Sequence, residues 1–138
     1  MFLTSQIMGQ NLDDHRWERR ILIVCAPEKT NSHLETQMKE FEFSDSDLKD
    51  RKMVIYEVIG DVFRLEDFVD GKKNEQWNPK KDRFDKIRWN KNEFGVFLIG
   101  LDGSIKLRRN TVLPKEELFR IIDAMPMRIG EMRSKRKN

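Results

Sequence analysis

The chain has 138 residues, with 27 Lys plus Arg against 24 Asp plus Glu, so a net charge of only +3 conceals a charged fraction of 37% beside 38% hydrophobic residues. That length suits one charge-rich domain with a single core. A lone cysteine excludes an intrachain disulfide scaffold, a Cys-rich zinc site and a CxxC redox pair within this chain, and no apolar run approaches the ~18 residues of a membrane span.

Residues 1–10, MFLTSQIMGQ, carry no charge, and the next ten are densely charged. The switch predicts a tail or signal-peptide remnant over 1–11, and with it export to the periplasm or the exterior, the alternative being a cytoplasmic protein. The run ILIVCA (21–26), closed by Pro27, predicts a strand buried on both faces. Ser32 and Glu35 have the spacing of a capping box, and Leu34, Met38 and Phe41 form one helical stripe. MVIYEVIG (53–60) predicts a second buried strand, parallel to the first across a right-handed crossover.

Further along, DVFRLEDFV (61–69) reads as a short helix and 70–79 as a loop. KKDRFDKIRWNK (80–91) reads as a basic amphipathic helix with Phe84 and Ile87 on one face. VFLIG (96–100), Asp102-Gly103 and IKLRR (105–109) predict a hairpin, with Ile105 and Leu107 on one face and Lys106 and Arg108 on the other. Pro114 opens a helix with the stripe Leu118, Ile121, Ile122 and Met125, and Pro126 stops it. The domain is expected to span 12–132, ahead of a basic frayed tail at 133–138.

A β-α-β unit followed by a hairpin and a closing helix is the element order of the thioredoxin-like fold. IVCAPEKTNSHL resembles the strand–Ala-Pro–loop–helix segment that carries the redox site in thioredoxins. VFLIGLDGSIKLRR resembles the hairpin after their cis-proline, and PKEELFRIIDAM their last helix. More specifically, LIGLDGSIKLR with LFRIIDAMPMRIGEM, and W-x-x-R-I-L-I-V-C-A-P from Trp17, resemble a domain of undefined function. That domain is found in bacterial proteins, many of them exported. It also occurs in vertebrate secreted matrix proteins, the sushi-repeat-containing and coiled-coil-domain-named adhesion proteins of the DUDES group. The resemblance implies a thioredoxin- or peroxiredoxin-like α/β three-layer sandwich, with a central mixed sheet of about four strands and helices on both faces. It also implies an extracytoplasmic setting, and it supplies no reaction.

Thioredoxin chemistry requires a thiolate at the first helix N-terminus, where this chain has Lys29, Thr30, Asn31 and Ser32. Cys25 falls within the strand and reads as a small buried hydrophobe. Its functional alternative is a peroxiredoxin-like single-cysteine oxidoreductase with Lys29 stabilising the thiolate. The position matching the cis-proline is Gly95. His15 and His33 lack ligand spacing and read as solvated, so neither metal nor cofactor is expected.

Lys80, Lys81, Arg83, Lys86, Arg88 and Lys91, near Trp77 and Trp89, form a basic patch. It is either a polyanion-binding adhesion surface or a solvated face. Lys106, Arg108, Asp123, Arg128 and Glu131 are the binding candidates. Either Asp102 shapes the turn and Asp123 pairs with Arg128 across the helix end, or Lys106, Arg108 and Arg128 gather into an anion or partner site. The composite expectation leans away from an enzyme, towards a non-catalytic binding or accessory module for a protein or acidic ligand.

Overall fold

The structure, a computed structural model, describes residues 11–137. The tail or signal-peptide remnant expected at 1–11 therefore lies outside the described residues, save Asn11. In chain order the elements are β1 (Arg20–Ala26), α1 (Ser32–Lys39), α2 (Asp45–Asp50), β2 (Met53–Ile59), β3 (Val62–Asp67), β4 (Lys72–Pro79), β5 (Gly95–Ile99), β6 (Ile105–Arg109), α3 (Lys115–Asp123) and α4 (Pro126–Lys137). The described strands form one mixed sheet in the order β4-β3-β2-β1-β5-β6. β1 and β2 pair in parallel, as the crossover length requires, and the other neighbours are antiparallel.

Six strands replace the expected four because a hairpin, β3–β4, occupies residues read as a helix and a loop. In β3, buried Phe63 and Leu65 alternate with half-buried Arg64 and Glu66, a period of two rather than 3.6. β4 is polar almost throughout, and its backbone pairing to β3 makes it a strand without an apolar stripe. The helix expected at 80–91 is also absent. Phe84 and Ile87, three residues apart, share a face in a single 3-10 turn at Asp85–Ile87 as readily as in an α-helix, and Arg88 follows in the left-handed region at φ 52°.

Alternation along β1 splits the core in two. Leu22, Val24 and Ala26 face Leu34, Leu48, Leu118 and Ile122 of the helices. Ile21, Ile23 and Cys25 face the opposite way, with Tyr56, Phe63 and Phe97. Helices on both faces were expected, yet among the described residues no α-helix packs on this second face. A 3-10 turn at Leu12–His15 and the 80–91 segment cover it through Leu12, Phe84 and Ile87. Phe84 meets Tyr56 and Phe63 edge-on at ring separations of 5.4 and 5.3 Å, so an aromatic loop does the burying that a helix would do.

Three further corrections bear on the site. The β5–β6 register shifts between Leu98 and Ile99, so Lys106 is an extra residue; Ile105 packs on the second face and Leu107 on the helix face, rather than both on one. Asn31, not Ser32, caps α1, its side chain accepting from the Leu34 amide at 3.1 Å. α3 ends at Asp123, ahead of Pro126 as expected, but Pro126 also opens α4, which runs to Lys137 through most of the stretch expected to fray. Buried Gln37 ties α1 to the approach of α3, donating to the Leu113 carbonyl at 2.9 Å and accepting from its amide at 2.7 Å.

Candidate functional site

Arg20 opens β1 and, like Leu22 and Val24, points to the helix side, where it is 1% exposed. Its Nη1 and Nη2 donate to Glu131 at 3.2 and 3.1 Å, and Nη1 also to the Arg51 carbonyl at 3.0 Å. The break at Pro126 turns the chain so that buried Arg128 reaches back to α2. Its Nη2 donates to the Asp50 carboxylate at 2.6 Å, Nη1 to the Asp50 carbonyl at 3.0 Å and Nε to Asp123 at 2.9 Å. Arg51 grips Asp123 with two parallel bonds of 3.1 and 2.9 Å. Hydrogen bonds from Lys135 and Arg128 hold the Asp50 carboxyl down at about 2. Burial pulls Asp123 up, but bonds from Arg51 and Arg128 outweigh it and leave the group below its ordinary value.

Asp123, Arg128 and Glu131 therefore meet in one network. Arg20, Arg51 and Asp50, which were not singled out by the sequence, join it, as does Lys135 through Asp50. The available signal was Arg20 itself: a charge at the mouth of a strand buried on both faces needs partners.

Beside the network lies an open pocket of about 440 Å³, lined by Arg20, Lys106, Asp102, Met125, Pro126 and Met127 among others. Lys106, displaced by the bulge, donates to Asp102 at 3.1 Å across the pocket rim. The Asp102 carboxyl is held at about 2, first by Ser104 and then by Lys106. Met127 is 45% exposed. Among the described residues, Arg20 Nε meets no hydrogen-bond acceptor.

Arg108 does not join Lys106 and Arg128, so the expected trio is not assembled. It lies across the sheet, donating to the Ile87 carbonyl with its guanidinium over Phe97. Several residues of the basic patch meet partners of their own. Lys86 reaches Asp13 at 3.2 Å, Lys91 reaches Asp61 at 3.7 Å, and Arg83 lies over Phe63 at 5.5 Å. Lys80 is nearly buried over Trp89, with its pKa lowered chiefly by desolvation, while Lys81 and Arg88 are exposed. Trp77 packs on the helix face between Lys29 and Arg64, and Trp89 on the other face, so the two rings share no platform.

Cys25 is fully buried on the second face, and desolvation pushes its thiol far above the ordinary range. Lys29 sits over Trp77 rather than serving that thiol. Gly95 leaves room for this chain's own rings and not for a guest backbone: a Cβ there would lie 2.9 Å from the Phe97 ring. His15, expected to be solvated, is 5% exposed and hydrogen-bonded through Nε2 to the Tyr56 hydroxyl at 2.6 Å. His33 is exposed and stacks on Phe94.

A family model described as a domain of unknown function (DUF4174) matches residues 11–131, a span that takes in the pocket and all of the network except Lys135. No curated protein matches the chain.

Proposed function

The chain belongs to the DUF4174 family of domains of unknown function, and on that premise we propose that it is a non-catalytic binding module taking a small anionic ligand with an apolar body in the pocket beside Arg20. One observation carries this reading: a guanidinium that is 1% exposed borders the pocket, and its buried Nε–H meets no acceptor among the described residues. A buried charged donor left unpaired costs about 1–3 kcal/mol or more. A carboxylate oxygen offsets that cost with a charge-assisted bond. Around Asp47, Asp50, Asp123 and Glu131, three arginines and two lysines leave one positive charge in surplus, which favours an anion. Met125, Pro126 and Met127 supply an apolar wall for the rest of the ligand.

Calorimetric titration with 4-phenylbutyrate, and with 4-phenylbutanol as its uncharged counterpart, tests the proposal. The acid is expected to bind at least about tenfold more tightly than the alcohol, and Met127→Asp to weaken it comparably. Equal affinity for the two compounds, or no heat with the acid, would sink it.

The scaffold reading is thioredoxin-like. The inner order β2-β1-β5-β6, one parallel pair followed by two antiparallel ones and closed by α3, supports it. Burial of Cys25 favours binding over thiol exchange on that scaffold. The resemblance to the DUDES group, with its exported members, supports an extracytoplasmic setting.

A further inference from the structure

We propose that the groove between the α1–α2 corner and the β3–β4 hairpin is a docking site for a basic, amphipathic segment of a partner protein, anchored against Phe43. The groove has a volume of about 410 Å³ and lies against the opposite end of the sheet from the Arg20 pocket. Its floor includes Met38, Phe41 and Phe68, and its rim is Phe43 with Glu42, Asp45 and Glu66.

Phe43 is the first observation. Phe41 is 6% exposed, whereas Phe43, two residues on, is 100% exposed and held at φ 60°. Neither property serves folding: the ring buries nothing, and the left-handed region crowds any residue with a Cβ. Strained conformations of this kind concentrate where a chain meets a ligand. An exposed aromatic beside an apolar floor also has the character of an interface anchor.

Charge selects the partner. Glu57 in the groove is taken up by Arg64 at 2.9 Å. Glu42, Asp45 and Glu66 form no ion pair among the described residues, and Lys73 in the lining reaches instead to Glu75 at 3.8 Å. The rim is thus acidic over an apolar floor, complementary to a segment carrying Lys or Arg beside Leu or Phe. Partial burial also raises the Glu66 carboxyl, the condition in which a nearby cation regains the most.

The test is an NMR titration of the whole chain with two blocked ten-residue peptides, one of Lys and Leu and one of Glu and Leu. The proposal expects the Lys–Leu peptide to bind at least about tenfold more tightly, with shifts centred on Phe43, Glu66 and Phe68. Phe43→Gly is expected to weaken that binding about tenfold without lowering Tm, since glycine occupies the left-handed region freely. If Phe43→Gly melts early, Phe43→Asn, which also tolerates that region, takes its place. Glu66→Gln is expected to weaken binding several-fold, and added salt to do the same for the wild type. Equal affinity for the two peptides, shifts centred elsewhere or unaltered binding by the Phe43 variants each overturn the proposal. So does a concentration-dependent dimer lost in Phe43→Gly, which would put the basic α4 of a second copy in the groove.

Discussion

His15 shows how much one side chain can couple this fold to pH. It is shut in with Tyr56, ring to ring at 5.8 Å, and desolvation lowers its pKa despite an opposing pull from Asp67. A group whose folded pKa lies below its unfolded value binds more protons when the chain unfolds. Stability is therefore full above the unfolded value of about 6.5 and falls as pH drops through that value towards the folded one. Urea denaturation at pH 7 and pH 5 should show a loss in the wild type that shrinks in His15→Gln, and an equal loss in both would refute the assignment. Nothing local in the sequence distinguishes His15 from a solvated histidine. Its burial is decided by Tyr56, forty-one residues away, so it was not legible at the residue scale.

At the scale of elements, α4 is held by side-chain charge more than by apolar burial. Met127 and Ile129 on it are exposed, and Arg128 carries the attachment through Asp50, Asp123 and Glu131. Removing one partner of a buried ion pair costs about 3–5 kcal/mol, and because the carboxylates here keep some contact with water we expect Arg128→Ala to cost about 2–3 kcal/mol. Chemical denaturation gives the magnitude, and hydrogen exchange should show the loss concentrated in α4. Unaltered exchange there would mean the helix is held otherwise. With the Asp50 carboxyl held at about 2, the attachment is present above the ordinary carboxylate range and is lost as pH falls from about 4 towards 2.

Elements with a periodic apolar signal were legible: β1 and β2 as runs, and α3 by the spacing of Leu118 and Ile122. α4 and β4 were not, because one is anchored by charge and the other by backbone bonds, and neither leaves an apolar period. In the candidate site, Asp123, Arg128 and Glu131 could be named from the sequence. The acceptors that bring them together, and the turn of Lys106 towards α3, depend on a bulge and a helix break that local patterning does not encode.

For the molecule as a whole, the two sides of the sheet are unequal. The helix side is sealed by α1, α2 and α3, while the other rests on a short leading turn and one loop. Phe84→Ala, removing a ring that is 5% exposed and contacts both Tyr56 and Phe63, should cost about 3 kcal/mol. Hydrogen exchange should show residues 80–91 opening before the helix side does, and uniform destabilisation would contradict this asymmetry.

The two outermost strands differ in kind from β1, β2 and β5. β4 carries Lys72, Lys73 and Glu75, and β6 carries Lys106, Arg108 and Arg109, whereas β1, β2 and β5 are buried almost throughout. Among the described residues β4 and β6 have no outer neighbour, and unpaired backbone at a sheet margin is where another chain can add as a further strand and start a fibril. Charged side chains along those margins make each such addition bring like charges together and strip them of water. Part of the charge density of this sequence thus works against edge-to-edge addition: it lines the margins of a sheet built from runs as sticky as ILIVCA and MVIYEVI.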